Sequence, residues 1–168
     1  MDGTLRDGVV EVRGTDARQR YFDSSGYGRP RGDGVDLARV EAAHLLYRGD
    51  LASVDGRGFR EFFVDAVDTE PRFAARFLVY ADFRERGFYC SPARDGWPGH
   101  DADPLPDLTV YERGSEPDGA VAYRVLVAGE RRELPARDLA GLTLAVVDEE
   151  SEVSYFTCTG GGGFEGAT

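Results

Sequence analysis

Residues 77–88 read FLVYADFRERGF, and the change of pattern within this stretch decides the predicted fold. Together with Phe73, its apolar residues recur at the three- and four-residue spacing of a helix that buries one face. Gly87 supplies a stop for that helix. Beyond Gly87 the period falls to two, beginning with Phe88-Tyr89-Cys90, which is typical of strands. The chain therefore predicts a helix that leads directly into a sheet.

The segments that follow predict most of that sheet. Alternating or continuous apolar residues indicate strands at residues 88–90, 108–112, 122–127, 142–147 and 153–157. The continuous run at 142–147 is typical of a buried strand. Between these strands we predict a polar loop at 91–106, a short helix at 135–139 and a tight acidic turn at 148–151.

The sequence upstream of Phe73 predicts a smaller helix-plus-sheet region. Val9, Val10 and Val12 suggest a short strand, and the Gly-rich stretch 24–34 predicts a loop. Helical periodicity runs from Asp36 to a stop at Gly49, and again over 59–66.

These elements predict an α/β (α+β) fold in two subdomains. The N-terminal subdomain spans residues 1–70, and Pro71 suits the first position of the next helix. A second subdomain, a mixed sheet flanked by helices, spans 71–158. The Gly-rich residues 159–168 are expected to form a flexible tail.

The charge is strongly acidic, with 31 Asp and Glu against 20 basic residues, all of them arginine, and a net charge of -11. Surplus acid without lysine suits a salt-rich cytoplasm, where screening weakens self-repulsion. A GC-rich genome that favours arginine codons explains the same bias. The acidity argues against autonomous RNA binding, although the Arg84–Arg86 and Arg131–Arg132 clusters leave room for a basic patch.

The remaining composition predicts a soluble cytoplasmic protein without a metal or cofactor. Cys90 and Cys158 lack the CxxC spacing of zinc or redox sites, and no His, Cys and carboxylate cluster shows ligand spacing. The N-terminus lacks the pattern of a signal peptide. No apolar run reaches the roughly 20 residues that a membrane span needs.

Four segments resemble the archaeal tRNA-splicing endonuclease family, in order and at similar spacing. They are YGRP (27–30) with VEAAHLL (40–46), FLVYADFRERGF (77–88), VYERG (110–114) and LAVVDEESEVSYF (144–156). The resemblance implies a nuclease-like fold and metal-independent cleavage of precursor tRNA at bulge-helix-bulge junctions. In that reaction the ribose 2′-hydroxyl attacks the adjacent phosphate, leaving a 2′,3′-cyclic phosphate and a 5′-hydroxyl.

The family uses a Tyr, a His and a Lys as base, acid and cation, and this sequence keeps only the first. Tyr111 stands at the tyrosine position, although a lone strand tyrosine is more often a packing residue. The histidine position falls near Ala120. The lysine position falls at Ala140 and Gly141, and Arg137, the nearest cation, is not equivalent to lysine.

Neither histidine of the chain replaces the missing one. His44 lies among apolar residues of a predicted helix, which favours a packed core residue. His100 lies in a predicted loop, where catalytic groups occur, but its order along the chain differs from the family's pattern.

The resemblance therefore implies a structural, non-catalytic repeat or subunit that assembles with a catalytic repeat into an oligomer and meets precursor tRNA there. In the family an acidic loop inserts into a basic groove of a neighbouring catalytic repeat, and that loop corresponds here to Asp148, Glu149, Glu150 and Glu152. An acidic turn that is merely solvated is the simpler interpretation. The final predicted strand is a second candidate contact.

Two other functions stay open at this level. One is a standalone RNA-binding module of the same fold. The other is an active endonuclease that uses Tyr111, His100 and an arginine. The residues also leave open whether the chain is a fragment of a fused enzyme or a separate subunit.

Overall fold

The computed structural model describes residues 1–70, 72–93, 106–113, 119–129, 141–158 and 164–167. Its four helices and two mixed sheets confirm the predicted α/β class. The chain forms two compact units, unit 1 over Met1–Phe77 and unit 2 over Leu78–Thr168. This division lies within a helix, and the predicted subdomain boundary after residue 70 stays a prediction.

Unit 1 is a five-stranded sheet with helices. Its elements are β1 (Asp2–Arg6), β2 (Val9–Val12), α1 (Thr15–Ala17), a π-helix (Arg18–Asp23), β3 (Arg29–Arg31), β4 (Gly34–Ala38), α2 (Arg39–Arg48), β5 (Ser53–Val54) and α3 (Phe59–Thr69). The strand order is β3-β4-β2-β1-β5, and only β1 and β5 run parallel. Val10 of β2 and Leu37 of β4 face each other and are fully buried.

Two predictions for unit 1 need correction. The helix predicted from Asp36 begins at Arg39, because residues 36–38 pair with β2 as the end of β4. The loop predicted over 24–34 contains β3, which turns through Gly32 at φ +59° and pairs back on β4. Backbone pairing with a neighbouring strand outweighs helical periodicity at 36–38 and local glycine content in the stretch 24–34.

The helices of unit 1 meet in an aromatic cluster. α2 ends at Gly49, which has a left-handed φ of +81°, as predicted. α3 lies where Phe59 and its neighbours predicted a helix. Ring centroids 5.3–6.4 Å apart join the members of the cluster, Tyr47, Phe59, Phe63, Phe73 and Phe77. This contact explains the periodicity that predicted the helices.

Unit 2 is a six-stranded sheet with the end of a helix on one face. Its elements are the C-terminal part of α4 (Phe73–Glu85), β6 (Cys90–Pro92), β7 (Leu108–Tyr111), β8 (Val121–Gly129), β9 (Thr143–Val147), β10 (Val153–Cys158) and β11 (Phe164–Ala167). The strands follow the order β11-β10-β9-β8-β7-β6, and only β8 and β9 run parallel. Phe83 of α4 contacts the rings of Tyr123 and Tyr155 on the sheet.

The structure also changes two predictions at the edges of this sheet. The strand predicted at 88–90 begins at Cys90, because the Phe88 N–H donates to the Phe83 carbonyl and closes the end of α4. Residues 164–167, part of the predicted flexible tail, form β11 by backbone pairing with β10. The predicted helix at 135–139 and the glycine run at 160–163 lie outside the described residues, as does most of the loop predicted at 91–106.

The other strand predictions for this sheet are confirmed to within two residues, by strands at 108–111, 121–129, 143–147 and 153–158.

None of the helices in the described ranges is long and apolar enough to cross a membrane.

Candidate functional site

Tyr111, at the predicted tyrosine position, is a buried residue. It ends β7 and is only 2% exposed. Its backbone N–H donates to the Tyr89 carbonyl at 2.9 Å, and the ladder between β7 and β8 shifts register between Val110 and Tyr111. The Tyr111 side chain is thus enclosed within this unit.

The positions expected to supply the other two catalytic groups carry almost no side chain. Ala120 is exposed just before β8, and its carbonyl accepts the Glu112 N–H at 2.8 Å. Gly141 precedes β9 with a φ of +82°, a conformation that favours glycine. His100, Arg137 and Ala140 lie outside the described residues. In the described part of this site, no imidazole or ammonium group accompanies Tyr111.

His44 is a core residue of unit 1. It is 1% exposed, and its Nδ1 lies 2.9 Å from the Tyr27 hydroxyl. The two rings stack with centroids 6.0 Å apart, and Phe77 packs on the imidazole at 6.4 Å. This geometry confirms the interpretation of His44 as a packed histidine.

Glu41 fixes the backbone beside it. The buried carboxylate accepts the Gly28 N–H at 2.6 Å and the Ala38 N–H at 2.9 Å. Gly28 has a φ of +74°, and a Cβ there would lie 2.4 Å from the Asp36 carbonyl oxygen. The segments 27–30 and 40–46 therefore resemble the family for a structural reason, because they pack against each other in the core.

The acidic turn between β9 and β10 is ordered by its own first residue. The Asp148 Oδ1 accepts the N–H groups of Glu150 and Glu152, each at 2.9 Å. The Asp148 N–H donates to the Glu152 carbonyl at 3.0 Å, and Ser151 adopts a φ of +65°. Asp148, one of the four predicted contact residues, thus serves the turn itself.

The other three predicted contact residues point into solvent. Glu149, Glu150 and Glu152 are exposed, and no arginine of the described residues forms an ion pair with them. Three carboxylates therefore stand close together on a turn whose backbone is fixed by hydrogen bonds. Such an arrangement presents negative charge at a defined place, the closed end of the β9–β10 hairpin.

Sequence reasoning missed two structural carboxylates. Glu41 lies three residues after the extended residue that precedes α2, a position where Glu commonly accepts the first free N–H of a helix. Asp107 is 6% exposed, accepts the Val127 N–H at 2.7 Å, and bonds through its backbone to Ala93 and Val125. The position of Glu41 relative to the start of α2 could have predicted its role, whereas no local sequence pattern predicts the role of Asp107. Within the described ranges, no group of three or more His, Cys, Asp or Glu residues is arranged to hold a metal ion.

Comparison of the amino-acid sequence with known proteins identifies the family of this chain. Residues 1–63 match the family model described as the N-terminal domain of tRNA intron endonuclease. The chain is 54% identical over 156 residues to the tRNA-splicing endonuclease of Natronomonas pharaonis, which covers 92% of the chain. It belongs to the tRNA-splicing endonuclease family.

Further relatives in this family extend the similarity. The tRNA-splicing endonuclease of Haloferax volcanii is 50% identical over 162 residues, covering 95% of the chain and 46% of its own length. That of Methanosarcina acetivorans is 34% identical, covering 91% of the chain and 45% of its own length. The chain covers 44% of the Natronomonas pharaonis relative, so it spans less than half of each. Halophilic hosts among the relatives fit the acidic, lysine-free composition.

Proposed function

We propose that this chain is the structural, non-catalytic part of a tRNA-splicing endonuclease, whose cutting is done by a catalytic repeat that supplies the missing groups. In this proposal the assembled enzyme excises introns from precursor tRNA at bulge-helix-bulge junctions. The products carry 2′,3′-cyclic phosphate and 5′-hydroxyl ends.

The burial of Tyr111 carries the proposal. The reaction needs a base, an acid and a cation around one phosphate, and removing single members of such a set typically costs several orders of magnitude in rate. Here the tyrosine at the family position is 2% exposed, and the sequence contains no lysine. Ala120 and Gly141, at the positions where the family carries its His and Lys, have no group that transfers a proton or carries charge.

Cleavage of a labelled bulge-helix-bulge RNA tests this function. The assay is run in EDTA and high potassium chloride, first with the chain alone and then with a catalytic repeat that bears the His and Lys. We expect no cutting by the chain alone and faster cutting in the mixture than by the catalytic repeat alone. Cutting by the chain alone would show that other groups do the chemistry, and an unchanged rate in the mixture would exclude the structural role.

The Tyr111 side chain is expected to matter for stability and not for cleavage. Tyr111→Phe removes a hydroxyl and keeps the ring, so we expect the mixture to cut at an unchanged rate. Loss of a buried polar contact should lower the free energy of unfolding by about 1 kcal/mol. Single-turnover cleavage and urea unfolding of the same preparation measure the two effects. A fall in rate of tenfold or more, with little change in stability, would assign Tyr111 a chemical role.

We infer that the chain meets its catalytic partner through the acidic turn. Glu149, Glu150 and Glu152 are exposed, and Asp148 holds the turn that displays them. Clustered carboxylates on an ordered turn favour a basic groove by charge complementarity, which sets register and association rate. The turn supports this proposal because the Asp148 carboxylate fixes the backbone that carries the three exposed glutamates.

A further inference from the structure

Unit 2 contains a cleft that the proposed function does not use. It lies beside the C-terminal end of α4, over the face of the sheet formed by β8, β9 and β10, and has a volume of about 270 Å³. That volume is close to the roughly 300 Å³ at which pockets for small molecules begin. The described residues that line it include two arginines and no Asp or Glu, in a chain with 31 acidic residues. The charged side chains that line the cleft are therefore both cations, although one of them, Arg86, also pairs with Asp82.

Tyr123 gives this cleft a flat, supported ring. The residue is 42% exposed on β8. Phe83 lies 6.0 Å from its ring centroid, and Phe88 lies 6.1 Å away in a T-shaped contact. Two aromatic neighbours thus hold the ring while much of it stays open to solvent. A rigid, open aromatic ring is the surface on which unpaired bases stack in single-stranded nucleic acids.

The two arginines are held beside this ring. The Arg113 guanidinium lies 4.8 Å from the Phe88 centroid. The Arg86 guanidinium lies 5.7 Å from the Tyr155 centroid and donates through Nε to Asp82 at 3.3 Å, with half of its side chain exposed. Aromatic faces orient both cations, since a guanidinium is attracted to the ring face.

The floor of the cleft is fixed by a hydrogen bond between β10 and α4. The Tyr155 hydroxyl donates to the Asp82 carboxylate. Burial, with that hydrogen bond, raises the pKa of Tyr155, so its hydroxyl stays protonated and the contact persists. Asp82 is thereby engaged by Tyr155 as well as by Arg86, and it is not among the residues that line the cleft.

We propose that this cleft binds one unpaired nucleotide of a single-stranded nucleic acid, with the base stacked on Tyr123 and the phosphate beside Arg86 and Arg113. An acidic peptide would satisfy the arginines but would offer no flat ring to Tyr123. A nucleotide satisfies both, which is why the observations favour it. This binding belongs to the chain alone and goes beyond its assembly with a catalytic repeat.

The test is a titration of the isotope-labelled chain by NMR with a short single-stranded RNA and with its DNA counterpart, at low and high potassium chloride. We expect signals around Tyr123 and Arg113 to shift with either oligonucleotide, and the stronger binder identifies the source. Tyr123→Ala should weaken binding by roughly tenfold, while Tyr123→Phe keeps it. Arg113→Gln should weaken binding and lower the slope of log K against log salt by about 0.7.

Two matched controls remove the same groups elsewhere. Arg124→Gln takes the same charge from the next residue of β8, whose side chain points to the other face of the sheet. Tyr47→Ala removes a tyrosine of unit 1 that is 62% exposed. Both should bind like the unaltered chain.

Three results would overturn the site. The first is that no NMR signal shifts when oligonucleotide is added at the lowest salt concentration. The second is that Arg124→Gln weakens binding as much as Arg113→Gln does. The third is that an acidic peptide of the same charge displaces the oligonucleotide at the same concentration. Because no catalytic repeat and no cleavage enter this experiment, its outcome is independent of the cleavage assay.

Discussion

Glu41→Ala is expected to lower the free energy of unfolding of unit 1 by about 3–5 kcal/mol, because it leaves two buried N–H groups without their acceptor. Those groups belong to Gly28 and Ala38, and the Glu41 side chain that serves them is 1% exposed. A loss of this size is a large part of the roughly 5–15 kcal/mol that stabilises a typical domain. Urea unfolding in high potassium chloride, followed by circular dichroism, measures it.

Two further variants define this prediction. Glu41→Gln keeps one carbonyl oxygen as an acceptor. We therefore expect it to lower the free energy of unfolding, but by less than Glu41→Ala does. Glu61→Ala removes an exposed Glu from α3 and should change the free energy by no more than about 0.5 kcal/mol. If Glu41→Ala were as stable as the Glu61 control, the two hydrogen bonds would not hold the 27–30 segment on α2.

Reversing the charge of the acidic turn is expected to remove the stimulation of cleavage. In the triple variant Glu149→Arg, Glu150→Arg and Glu152→Arg, three cations would face a basic groove, and like charges at an interface cost several kcal/mol. We therefore expect association with the catalytic repeat to weaken by 100-fold or more, as an order of magnitude. Sedimentation velocity and the mixed cleavage assay measure this, at the lowest potassium chloride concentration that keeps both proteins folded.

The matched control reverses three exposed acidic residues of unit 1, in the variant Asp33→Arg, Glu61→Arg and Asp68→Arg. It changes net charge by the same amount and leaves the turn intact. Asp148 stays unchanged in the test variant, because its carboxylate holds the turn in shape. Equal weakening by both triple variants would mean that overall charge, and not the acidic turn, governs association.

Local sequence patterns predicted the elements whose apolar residues recur at regular spacing. The aromatic spacing of α3 and α4 reports burial on one helix face, and Gly49 and Gly87 end helices through left-handed backbone that glycine adopts easily. The elements that sequence reasoning misplaced depend on partners distant in the chain. β4 takes over residues 36–38 from the predicted helix because β2 pairs with them, and β11 forms on β10 beside a glycine run that favours coil.

The candidate site divides in the same way. The sequence itself shows Ala120 and Gly141 at the family positions, and it contains no lysine. The missing His and Lys could therefore be predicted from it. The burial of Tyr111 could not, because it depends on the packing of the whole sheet around β7. The engagement of Asp148 depends on turn geometry, and the cleft depends on where α4 crosses the strands.

The strand pairs of the sheet in unit 2 differ in how far apart their residues lie in the chain, and this difference predicts the order in which they form. The β9–β10 hairpin closes across the short Asp148–Glu152 turn, so its first contacts cost little chain entropy. The parallel β8–β9 pair joins Val125 to Thr143, which lie farther apart in the chain, so its formation costs more chain entropy. We therefore expect the β9–β10 hairpin to form before the two pairings between residues more distant in the chain, β6–β7 and β8–β9.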